Sequence, residues 1–562
     1  MFINSIGIDN FRELREENRT YLDKTNCIST LVSPGYPKVS LITRPRRFGK
    51  SLTINMLSEF FDINKNSSDI FDGLEISKNK DICKEWMNQY PVINISLKEM
   101  STDTFEKSIE TFSEIVEEIL IHNQYLFDSK KVYQEDKNIL KKIDNREASE
   151  VDLRGSLKRI CRSFQAYWGK QAIVFIDEYD ASLNYAYQNG YYRKMVDFIR
   201  GLFSGTLKGN PHLKFAVITG CLRIAKESIF TGVNNFRCYS ISDIKYADTF
   251  GFTEQDVDYL LSQIGLTNKK EEIRDWYDGY RFGKNSDIYC PWDVLNYLEN
   301  LSDDKDAKPE SFWVNSSGND IIKKFLDQKQ FSVKGKIESL LNNGYVKTNL
   351  TENLTFDTIY QSEINFWNVL YATGYLTKAK LEDIVAPVQL EYNEVLLRIP
   401  NKEIFSIFTT EVLKWFNECM SKKDQTPLFN AFWNGDNEAL TNLLSDILLT
   451  TISYHDYYEN FYHAFLIGLF SSQGYEVSSN IESGIGRSDI LIRDLDNHQA
   501  ACIEVKRTDE RIELEEKAKE ALRQIVKNKY DTQIRSFKNI KLWGIAFYKK
   551  TCIARSLSEL YS

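Results

Sequence analysis

The feature that most constrains the fold is an apolar segment that runs into a loop ending in glycine, lysine and serine. Lys38–Thr43 is typical of a buried β-strand, the loop Arg-Pro-Arg-Arg-Phe-Gly-Lys-Ser follows, and a helix is predicted over Leu52–Phe61. In this layout the N–H groups of the loop and of the first helical turn point at one spot, where the helix dipole favours anions. Lys50 would reach the β- and γ-phosphates of a nucleotide, and the Ser51 hydroxyl would hold Mg²⁺.

The loop departs from the usual phosphate-binding pattern at its first position. That pattern opens with a glycine separated by four residues from the Gly-Lys pair, and Arg44 stands in its place. We therefore expect a different loop entry, with Arg44, Arg46 and Arg47 adding positive charge beside the phosphates. The loop and helix residues predicted to contact the nucleotide, besides Lys50 and Ser51, are Arg46, Arg47, Phe48, Gly49 and Leu52.

A second apolar run of strand length ends in two acidic residues. Gln171–Ile176 suits a central parallel strand covered by helices, and Asp177 and Glu178 follow it. We predict that Asp177 binds the metal through water and that Glu178 is the general base that polarises the attacking water. The alternative is a core strand that simply meets solvent at two acids. The phosphate-binding loop argues against that alternative.

A third strand, Leu213–Thr219, ends in a polar residue. Thr219 is placed to hydrogen-bond the γ-phosphate or the attacking water, and Arg223 would add charge to the same phosphate or to a neighbouring subunit's nucleotide. A surface or structural salt bridge is the competing interpretation of Arg223. With Pro91–Ser96 as a further strand, strands that alternate with helices predict an α/β fold, here a P-loop domain of three layers with a largely parallel sheet.

Composition limits the class of protein. The 562 residues are 42% apolar and 13% aromatic, which suffices for several domain cores. A net charge of −9 gives no global basic footprint, so nucleic-acid binding would need local positive patches. The nine cysteines form no Cys-x-x-Cys pair, so neither a zinc cage nor a disulfide framework is indicated. Because the sequence shows no signal-peptide core and no membrane-length apolar stretch, we predict a cytoplasmic protein with no membrane partner.

The sequence pattern changes at three places along the chain. Residues 1–250 are predicted to form the ATPase domain, and residues 251–400 a helical and winged-helix-like middle region that begins at the N-cap Thr253. The middle region would read DNA or serve as an architectural lid or linker. Residues 401–452 are predicted to be a helical connector, and residues 453–562 a second α/β domain.

The last region holds a second set of chemically suited residues. Glu459 and His463 lie four apart on a predicted helix, hence on one face. Asp489 follows the turn Gly-Ile-Gly-Arg-Ser and starts an apolar strand. The next predicted strand carries Glu504 and Lys506 two apart, on one face. Two carboxylates and an ammonium are thereby expected at one edge of a sheet.

This set suits metal-dependent hydrolysis of a phosphodiester. Carboxylates bind Mg²⁺ or Mn²⁺ with open water positions, and we assign Asp489 and Glu504 to the metal. Lys506 would orient or help deprotonate a water that the metal acidifies. Alone, Glu-x-Lys on a strand is commonly a solvated ion pair, but Asp489 and the helical Glu459 argue against that interpretation. A local basic patch is expected from Lys506, Arg507, Arg523, Lys527 and Lys529.

Together these motifs resemble a family of bacterial and archaeal AAA-type ATPase-like proteins that carry a C-terminal PD-(D/E)XK nuclease-like domain. The resemblance covers nearly the whole chain and makes Arg44 a family trait. It rests on Tyr21–Thr25, Thr43–Ser51, Ile176–Asp180, Thr219–Ser228, Trp276–Tyr280, Pro400–Glu403, Tyr462–His463 and the set Asp489, Glu504 and Lys506.

The resemblance implies roles that the residues alone do not. Tyr21 and Asp23 would lie near the nucleotide base, and Glu459 would join the three charged residues of the C-terminal strands in a nuclease active site. The last region would have an α/β restriction-endonuclease-like fold. Members of this family are mostly of unproven activity, and their lineage-specific expansions suggest mobile elements or defence.

Two classes of function follow. The first is an ATP-binding and ATP-hydrolysing protein coupled to a metal-dependent endonuclease, with nucleic acid, preferably DNA, as its partner. The second is a nucleotide-dependent module whose C-terminal fold binds nucleic acid or a protein without cleaving. A third, in which both sites are structural relics, is disfavoured because neither set has lost a key residue. Arg223, as a candidate arginine finger, leaves a homo-oligomer open.

Overall fold

A computed structural model of the chain describes residues 3–223, 229–230, 236–313, 333–341, 344–351, 354, 359, 361–380, 384, 389–410, 424–451, 459–471, 473–483 and 486–557. It contains two compact units. The first unit comprises Met1–Phe312 and Thr348–Glu403, and the second comprises Trp313–Lys347 and Ile404–Ser562. The predicted boundaries at residues 250, 400 and 452 stay predictions.

A five-stranded parallel sheet forms the core of the first unit. Its strands are β1 Val39–Thr43, β2 Val92–Ser96, β3 Ala172–Asp177, β4 Leu213–Gly220 and β5 Phe236–Tyr239. The spatial order is β2-β3-β4-β1-β5, and each neighbouring pair is parallel. Every residue of β1 and β3 is buried, as expected for strands with helices on both faces. The predicted α/β class with a parallel sheet is confirmed.

Helices follow or precede each strand of this sheet. The predicted N-cap Thr253 is present, because its hydroxyl accepts from the N–H of Asp256 and the Asp256 carboxylate accepts from the Thr253 N–H. The helices of the first unit are Phe11–Glu16, Asn26–Leu31, Lys50–Phe61, Glu75–Lys78, Lys80–Trp86, Phe105–Ile121, Tyr125–Asp128, Gln134–Asp144, Glu150–Arg154, Ser156–Trp168, Tyr179–Gln188, Tyr192–Leu207, Glu254–Ile264, Lys270–Tyr277, Pro291–Asp303 and Glu363–Thr373.

Short strands complete the first unit. β6 Tyr280–Phe282 pairs with β7 Asn285–Ile288, and β9 Thr377–Lys378 pairs with β10 Glu394–Arg398, both antiparallel. The strand β8 Val346–Asn349 spans the boundary between the two units. The winged-helix-like interpretation of this middle region stays a prediction.

A glycine joins two motifs of the first unit at close range. Gly279 has φ +98°, and a Cβ added there would lie 2.2 Å from the Pro400 carbonyl oxygen. The neighbouring Asn401 Nδ2 donates to the Asp278 carbonyl oxygen at 2.7 Å. Only glycine allows this backbone approach, so the Trp276–Tyr280 and Pro400–Glu403 motifs pack against each other.

A mixed five-stranded sheet forms the core of the second unit. Its strands, β11 Glu476–Ser483, β12 Gly486–Asp494, β13 Gln499–Arg507, β14 Asn539–Tyr548 and β15 Thr551–Ser556, lie in sequence order. Only the pair β13–β14 is parallel, and the other pairs are antiparallel. The helices of this unit are Val333–Leu341, Thr426–Asn434, Asn437–Thr451, Glu459–Ser471 and Leu514–Asn528.

One helix covers the edge strand β15. Three side chains of Asn437–Thr451, spaced four residues apart, accept from outward N–H groups of β15: Asn437 from Ser556 at 2.9 Å, Thr441 from Ala554 at 3.0 Å and Ser445 from Cys552 at 3.1 Å. The spacing places the three acceptors on one helix face, where they satisfy the donors of an otherwise open edge. This helix is thus an integral part of the second unit.

No helix among the described residues is both long enough and apolar enough to cross a membrane.

Candidate nucleotide and metal sites

The loop after β1 turns sharply into the helix Lys50–Phe61. Gly49 precedes the helix with φ +80°, and Arg47 has φ +68°, a conformation that costs a non-glycine residue free energy. The Lys50 ammonium is buried within the loop, where it donates to the carbonyl oxygens of Arg44 at 3.1 Å and Pro45 at 2.8 Å. The strand, loop and helix therefore have the layout of a phosphate-binding loop, with the lysine held by the loop backbone.

Arg44 does not lie beside the phosphate site, contrary to the expectation from the sequence. Its side chain is fully buried, and its guanidinium donates to the carbonyl oxygens of Thr43 at 2.8 Å, Tyr239 at 3.1 Å and Tyr246 at 2.9 Å. Burial lowers the pKa of Arg44 to about 10. The arginine in the place of the usual glycine thus connects β1 to β5 and to the segment after it. Its burial is tolerated because the three carbonyl oxygens replace the hydrogen bonds that the guanidinium would make to water.

Three adjacent strands bring the catalytic candidates of the first unit together. β4 lies between β1 and β3, so Thr219 on β4 lies between the loop after β1 and the acids after β3. The Asp177 carboxylate accepts from the Ser51 hydroxyl at 2.5 Å through one oxygen and from the Thr219 hydroxyl through the other. Ser51 and Asp177, the residues predicted to hold Mg²⁺, are therefore in direct contact, and their hard oxygen donors fit that ion.

Glu178 adopts an unusual backbone conformation beside this cluster. Its φ is +48°, it is the N-cap of the helix Tyr179–Gln188, and its N–H donates to an Asp177 carboxylate oxygen at 2.9 Å. Its own carboxylate is partly exposed and lies 3.9 Å from the Lys98 ammonium. The left-handed turn points two successive acids in different directions, which leaves Glu178 accessible for the role of a base. Nothing in the sequence singled out Lys98.

A third acid of this region, Asp180, has a structural role that the sequence analysis did not assign. Its carboxylate accepts from the N–H groups of Cys221 at 2.9 Å and Leu222 at 2.8 Å. Burial raises the pKa of Asp180, and the hydrogen bond from Leu222 opposes that shift. Gly220 is required here, because a Cβ would lie 2.6 Å from Asp180 Oδ1. Asp180 therefore fixes the turn that carries Arg223 away from β4.

The other nucleotide-binding candidates fall into two groups. Phe48 is 1% exposed and packs edge-on against Tyr280 at 5.0 Å, so its ring is part of the core. Arg46 and Arg47 are exposed, and Leu52 and Arg223 are partly buried. The contribution of each to nucleotide binding stays a prediction.

Asp23 and Tyr21 anchor the N-terminal segment. The Asp23 carboxylate accepts from the Thr25 N–H at 2.8 Å, from the Thr25 hydroxyl at 2.6 Å and from the Glu75 N–H at 2.6 Å. The Tyr21 ring packs edge-on against Phe11 at 5.2 Å. The Phe11 N–H donates to Asn55 of the helix after the phosphate-binding loop at 2.8 Å. These contacts connect the segment to that helix, and its place near a nucleotide base stays a prediction.

The second unit gathers Asp489, Glu504 and Lys506 on neighbouring strands. Ile490 pairs with Ile503 across β12 and β13, so Asp489 lies beside Glu504. Asp489 Oδ2 accepts from the Val505 N–H at 2.8 Å, and the Lys506 ammonium contacts Glu504 Oε1 at 3.2 Å. The predicted juxtaposition of two carboxylates and one ammonium is thus present in the structure.

Glu504 is the most unusual member of this set. It is 2% exposed, and its Oε2 has no hydrogen-bond partner within the described part of the chain. Burial, and secondarily the Asp489 carboxylate, raises the pKa of Glu504 to about 7, while Lys506 opposes the shift. A buried carboxylate oxygen beside a second carboxylate fits a hard divalent cation, which would be held by Asp489 and Glu504.

The neighbouring helix Glu459–Ser471 contributes His463. Its Nε2 lies 2.7 Å from the Asp489 carbonyl oxygen, so it fixes the backbone at the start of the acidic set. Tyr462 on the same helix donates to the Lys549 carbonyl oxygen at 2.7 Å and stacks on Phe547. The Glu459 side chain and the turn residues Gly484 and Ile485 lie outside what the structure describes, so the expected fourth member of the set stays a prediction.

Three of the five residues expected to form a basic patch are in ion pairs. Lys506 contacts Glu504, Arg507 contacts Asp509, and Arg523 contacts Glu516 at 2.8 Å. Each pair weakens the attraction of that cation for phosphate, and the patch itself stays a prediction.

Two regions of the chain match models of known families. Residues 5–230 match the model described as "Predicted AAA-ATPase". Residues 457–556 match the model of the PD-(D/E)XK nuclease superfamily. The resemblance inferred from the motifs is confirmed. The chain therefore combines an ATPase-like region with a nuclease-like region, and each match contains one of the two clusters described above.

A second comparison finds a protein that is similar to this chain over most of its length. The chain is 25% identical over 499 residues to a protein of Azotobacter chroococcum mcd 1 named "Uncharacterized protein in vnfD 5'region". The similar segment covers 87% of this chain and 86% of the relative.

Proposed function

We propose that the chain binds and hydrolyses ATP and that this activity controls a metal-dependent DNA endonuclease. The observation that carries the proposal is the pair of acidic clusters. In the first unit Asp177 is bound by Ser51 and Thr219, and in the second Glu504 lies beside Asp489 with one oxygen that has no hydrogen-bond partner among the described residues. Each cluster lies in the region whose family match calls for that chemistry. Defence against foreign DNA or mobile-element biology is the context that the resemblance suggests.

In the first unit, the chain's own groups would divide the work of phosphoryl transfer. Lys50 would exchange its loop carbonyl contacts for the β- and γ-phosphates, and Ser51 with Asp177 would hold Mg²⁺. Glu178 would accept the proton of the attacking water, and Thr219 would hold that water or the γ-phosphate. Mg²⁺ supplies charge neutralisation between the phosphates when bound.

In the second unit, the acids and the lysine have separate tasks. Asp489 and Glu504 would hold Mg²⁺ or Mn²⁺, which acidifies a water and neutralises phosphate charge. Lys506 would leave Glu504 to orient the attacking water, because its ammonium lies beside the buried carboxylate. The His463 contact keeps Asp489 in register with Glu504. This is a division of labour for phosphodiester hydrolysis.

Nicking of supercoiled plasmid tests the proposal. Wild type is incubated with Mg²⁺ or Mn²⁺, with and without ATP, beside Lys50→Ala, Asp489→Ala and Lys506→Ala. We expect Asp489→Ala and Lys506→Ala to lose cleavage while ATP turnover continues, and Lys50→Ala to lose ATP turnover and change the cleavage rate. Cleavage that persists in Asp489→Ala would remove the nuclease assignment.

The ion pairs of Arg507 and Arg523 favour a second candidate function. Because Arg507 and Arg523 are paired with acids, electrostatic capture of DNA by this face is weakened. The chain would then be a nucleotide-dependent module that binds nucleic acid or a protein without cleaving. ATP hydrolysis with no nicking under any metal condition would select this candidate.

A further inference from the structure

A tryptophan from outside the ATPase-matched region lies against the phosphate-binding loop. The matched region ends at residue 230, whereas Trp292 opens the helix Pro291–Asp303 of the same compact unit. The guanidinium carbon of Arg47 lies 4.0 Å from the centroid of the Trp292 ring. This distance is well within the range of a cation–π contact, and tryptophan is the strongest aromatic partner for it.

A second contact holds the backbone of the same loop residue. The Cys290 thiol lies 3.9 Å from the Arg47 carbonyl oxygen. Arg47 is in the left-handed region at φ +68°, where an arginine is retained only if its surroundings impose that conformation. Trp292 and Cys290 thus contact the side chain and the backbone of one strained residue, three positions before Lys50.

The segment that makes these contacts is itself anchored in the core. Asp293, the residue after Trp292, is completely buried, and so is Cys290. Glu403 is also completely buried, and its Oε1 accepts from the Phe312 N–H at 2.6 Å. Cys290 and Asp293 flank Trp292 and are both buried, so this segment is held in the core of the first unit.

Phe48 extends the contact between the loop and the middle region. Its ring packs against Tyr280 at 5.0 Å and Phe282 at 5.2 Å, both on β6. A Cβ on Gly251 would lie 3.1 Å from the Phe48 ring, so the packing leaves no free space there. With Phe48 buried in this way, the exposed Arg47 guanidinium is presented on the solvent side of the loop.

We propose that Trp292 is a positioning residue for Arg47 and, through it, for the phosphates of a bound nucleotide. The proposal rests on ATP binding as proposed above and deepens it. Trp292 covers one face of the guanidinium, so its N–H groups, which lie in the plane, stay available to phosphate oxygens. The orientation is set before binding, which lowers the entropy cost of ordering a long side chain.

Equilibrium binding of a fluorescent ATP analogue with Mg²⁺ tests the assignment in the full chain. The variants are Trp292→Ala, Trp292→Leu, Trp292→Phe, Arg47→Ala and the double variant Arg47→Ala/Trp292→Ala. Trp276→Ala is the matched control, because Trp276 is a partly buried tryptophan that packs against the hydrophobic core of the middle region, whereas Trp292 lies against Arg47. Thermal unfolding of each variant reports its effect on the fold.

We expect the aromatic ring, rather than apolar volume, to decide the affinity. Trp292→Leu and Trp292→Ala should raise the Kd about three- to tenfold, and Trp292→Phe should stay within about twofold of wild type. The double variant should bind no more than about twofold worse than Arg47→Ala, since Trp292 acts through Arg47. Trp276→Ala should leave the Kd unchanged.

Other outcomes separate this proposal from the proposed function. Wild-type affinity in a folded Trp292→Leu, or additive losses in the double variant, would overturn the role of Trp292 alone. If Trp292→Ala does not fold, the contrast between Trp292→Leu and Trp292→Phe still decides the question. A wild-type protein that binds no ATP, and is indistinguishable from Lys50→Ala, would overturn both proposals.

Discussion

The two acidic clusters of this protein differ in the hydrogen bonds that their buried carboxylates accept. In the first unit Asp177 is hydrogen-bonded through both oxygens to the hydroxyls of Ser51 and Thr219. In the second unit Glu504 has one oxygen on Lys506 and one with no partner among the described residues. Neutral hydroxyls stabilise the first carboxylate, whereas burial and the neighbouring Asp489 carboxylate raise the pKa of the second. Hydrogen bonds to both oxygens thus satisfy the first carboxylate, whereas one oxygen of the second has no such bond among the described residues.

The largest expected effect is on cleavage by the second site. Glu504→Gln should reduce the rate of plasmid nicking at least about 100-fold, because an amide is a far weaker ligand for Mg²⁺ or Mn²⁺. It should not lower the melting temperature at pH 8, since it replaces a buried charge by a neutral group of the same shape. A marked drop in melting temperature would show that the Glu504 carboxylate stabilises the fold, and the contrast drawn with Asp177 would then be wrong.

The matching substitution in the first site should act differently. Asp177→Asn should reduce ATP turnover about 100-fold and also lower the free energy of unfolding by about 1–2 kcal/mol, because two hydroxyls lose a charged acceptor. Steady-state ATP hydrolysis and urea unfolding measure the two effects. Unchanged stability would mean that Ser51 and Thr219 find other partners at no cost.

Close backbone packing supports the second site and offers a sharper stability test. Gly544 on β14 pairs with Glu504, and a Cβ there would lie 2.1 Å from the Ala518 carbonyl oxygen. Gly544→Ala should destabilise the second unit by about 3 kcal/mol, because the obstacle is helix backbone that cannot rotate away. Gly220→Ala in the first unit meets mainly side chains. We expect it to cost less, as measured by urea unfolding of both variants.

A third buried acid gives the smallest predicted effect, one that depends on pH. Burial raises the pKa of Asp293 to about 6, while contacts with Glu403 and Cys290 and the charge of Arg47 oppose the shift. The folded state keeps a proton that the unfolded state releases near pH 4. This contribution to stability is therefore complete at low pH and is lost as pH rises through about 6.

Urea unfolding between pH 4.5 and 7.5 measures this dependence. Wild type should lose on the order of 2 kcal/mol more than Asp293→Asn over that range. The titratable and charged groups near Asp293 are Glu403, Cys290, Tyr277, Tyr280 and Arg47. Equal pH dependence in the two proteins would show that Asp293 is charged in the folded state.

Local sequence patterns were sufficient to predict both clusters. The apolar strand before the Gly-Lys-Ser sequence, the acidic pair after a buried run and the Glu-x-Lys alternation each depend on residues close together in the chain. Strand period and helix-start chemistry act over that range, so the α/β class, the Thr253 N-cap and the pairing of Glu504 with Lys506 could be inferred.

Arg44 shows where local pattern is insufficient. Its position in a loop rich in arginine suggested a phosphate contact, but its partners include Tyr239 and Tyr246, about 200 positions later. The guanidinium donates to three carbonyl oxygens, and these oxygens lie close together only because β5 pairs with β1.

The sequence by itself determined which chemical groups this protein carries and on which local elements they lie. Only the tertiary structure decided which of them meet: Ser51 with Asp177 through the strand order, Asp489 with the Val505 N–H through strand register, and Arg47 with Trp292 through packing of the middle region. Such contacts join residues up to 245 positions apart. Their formation depends on the free energy of the whole packed unit, which no local window contains.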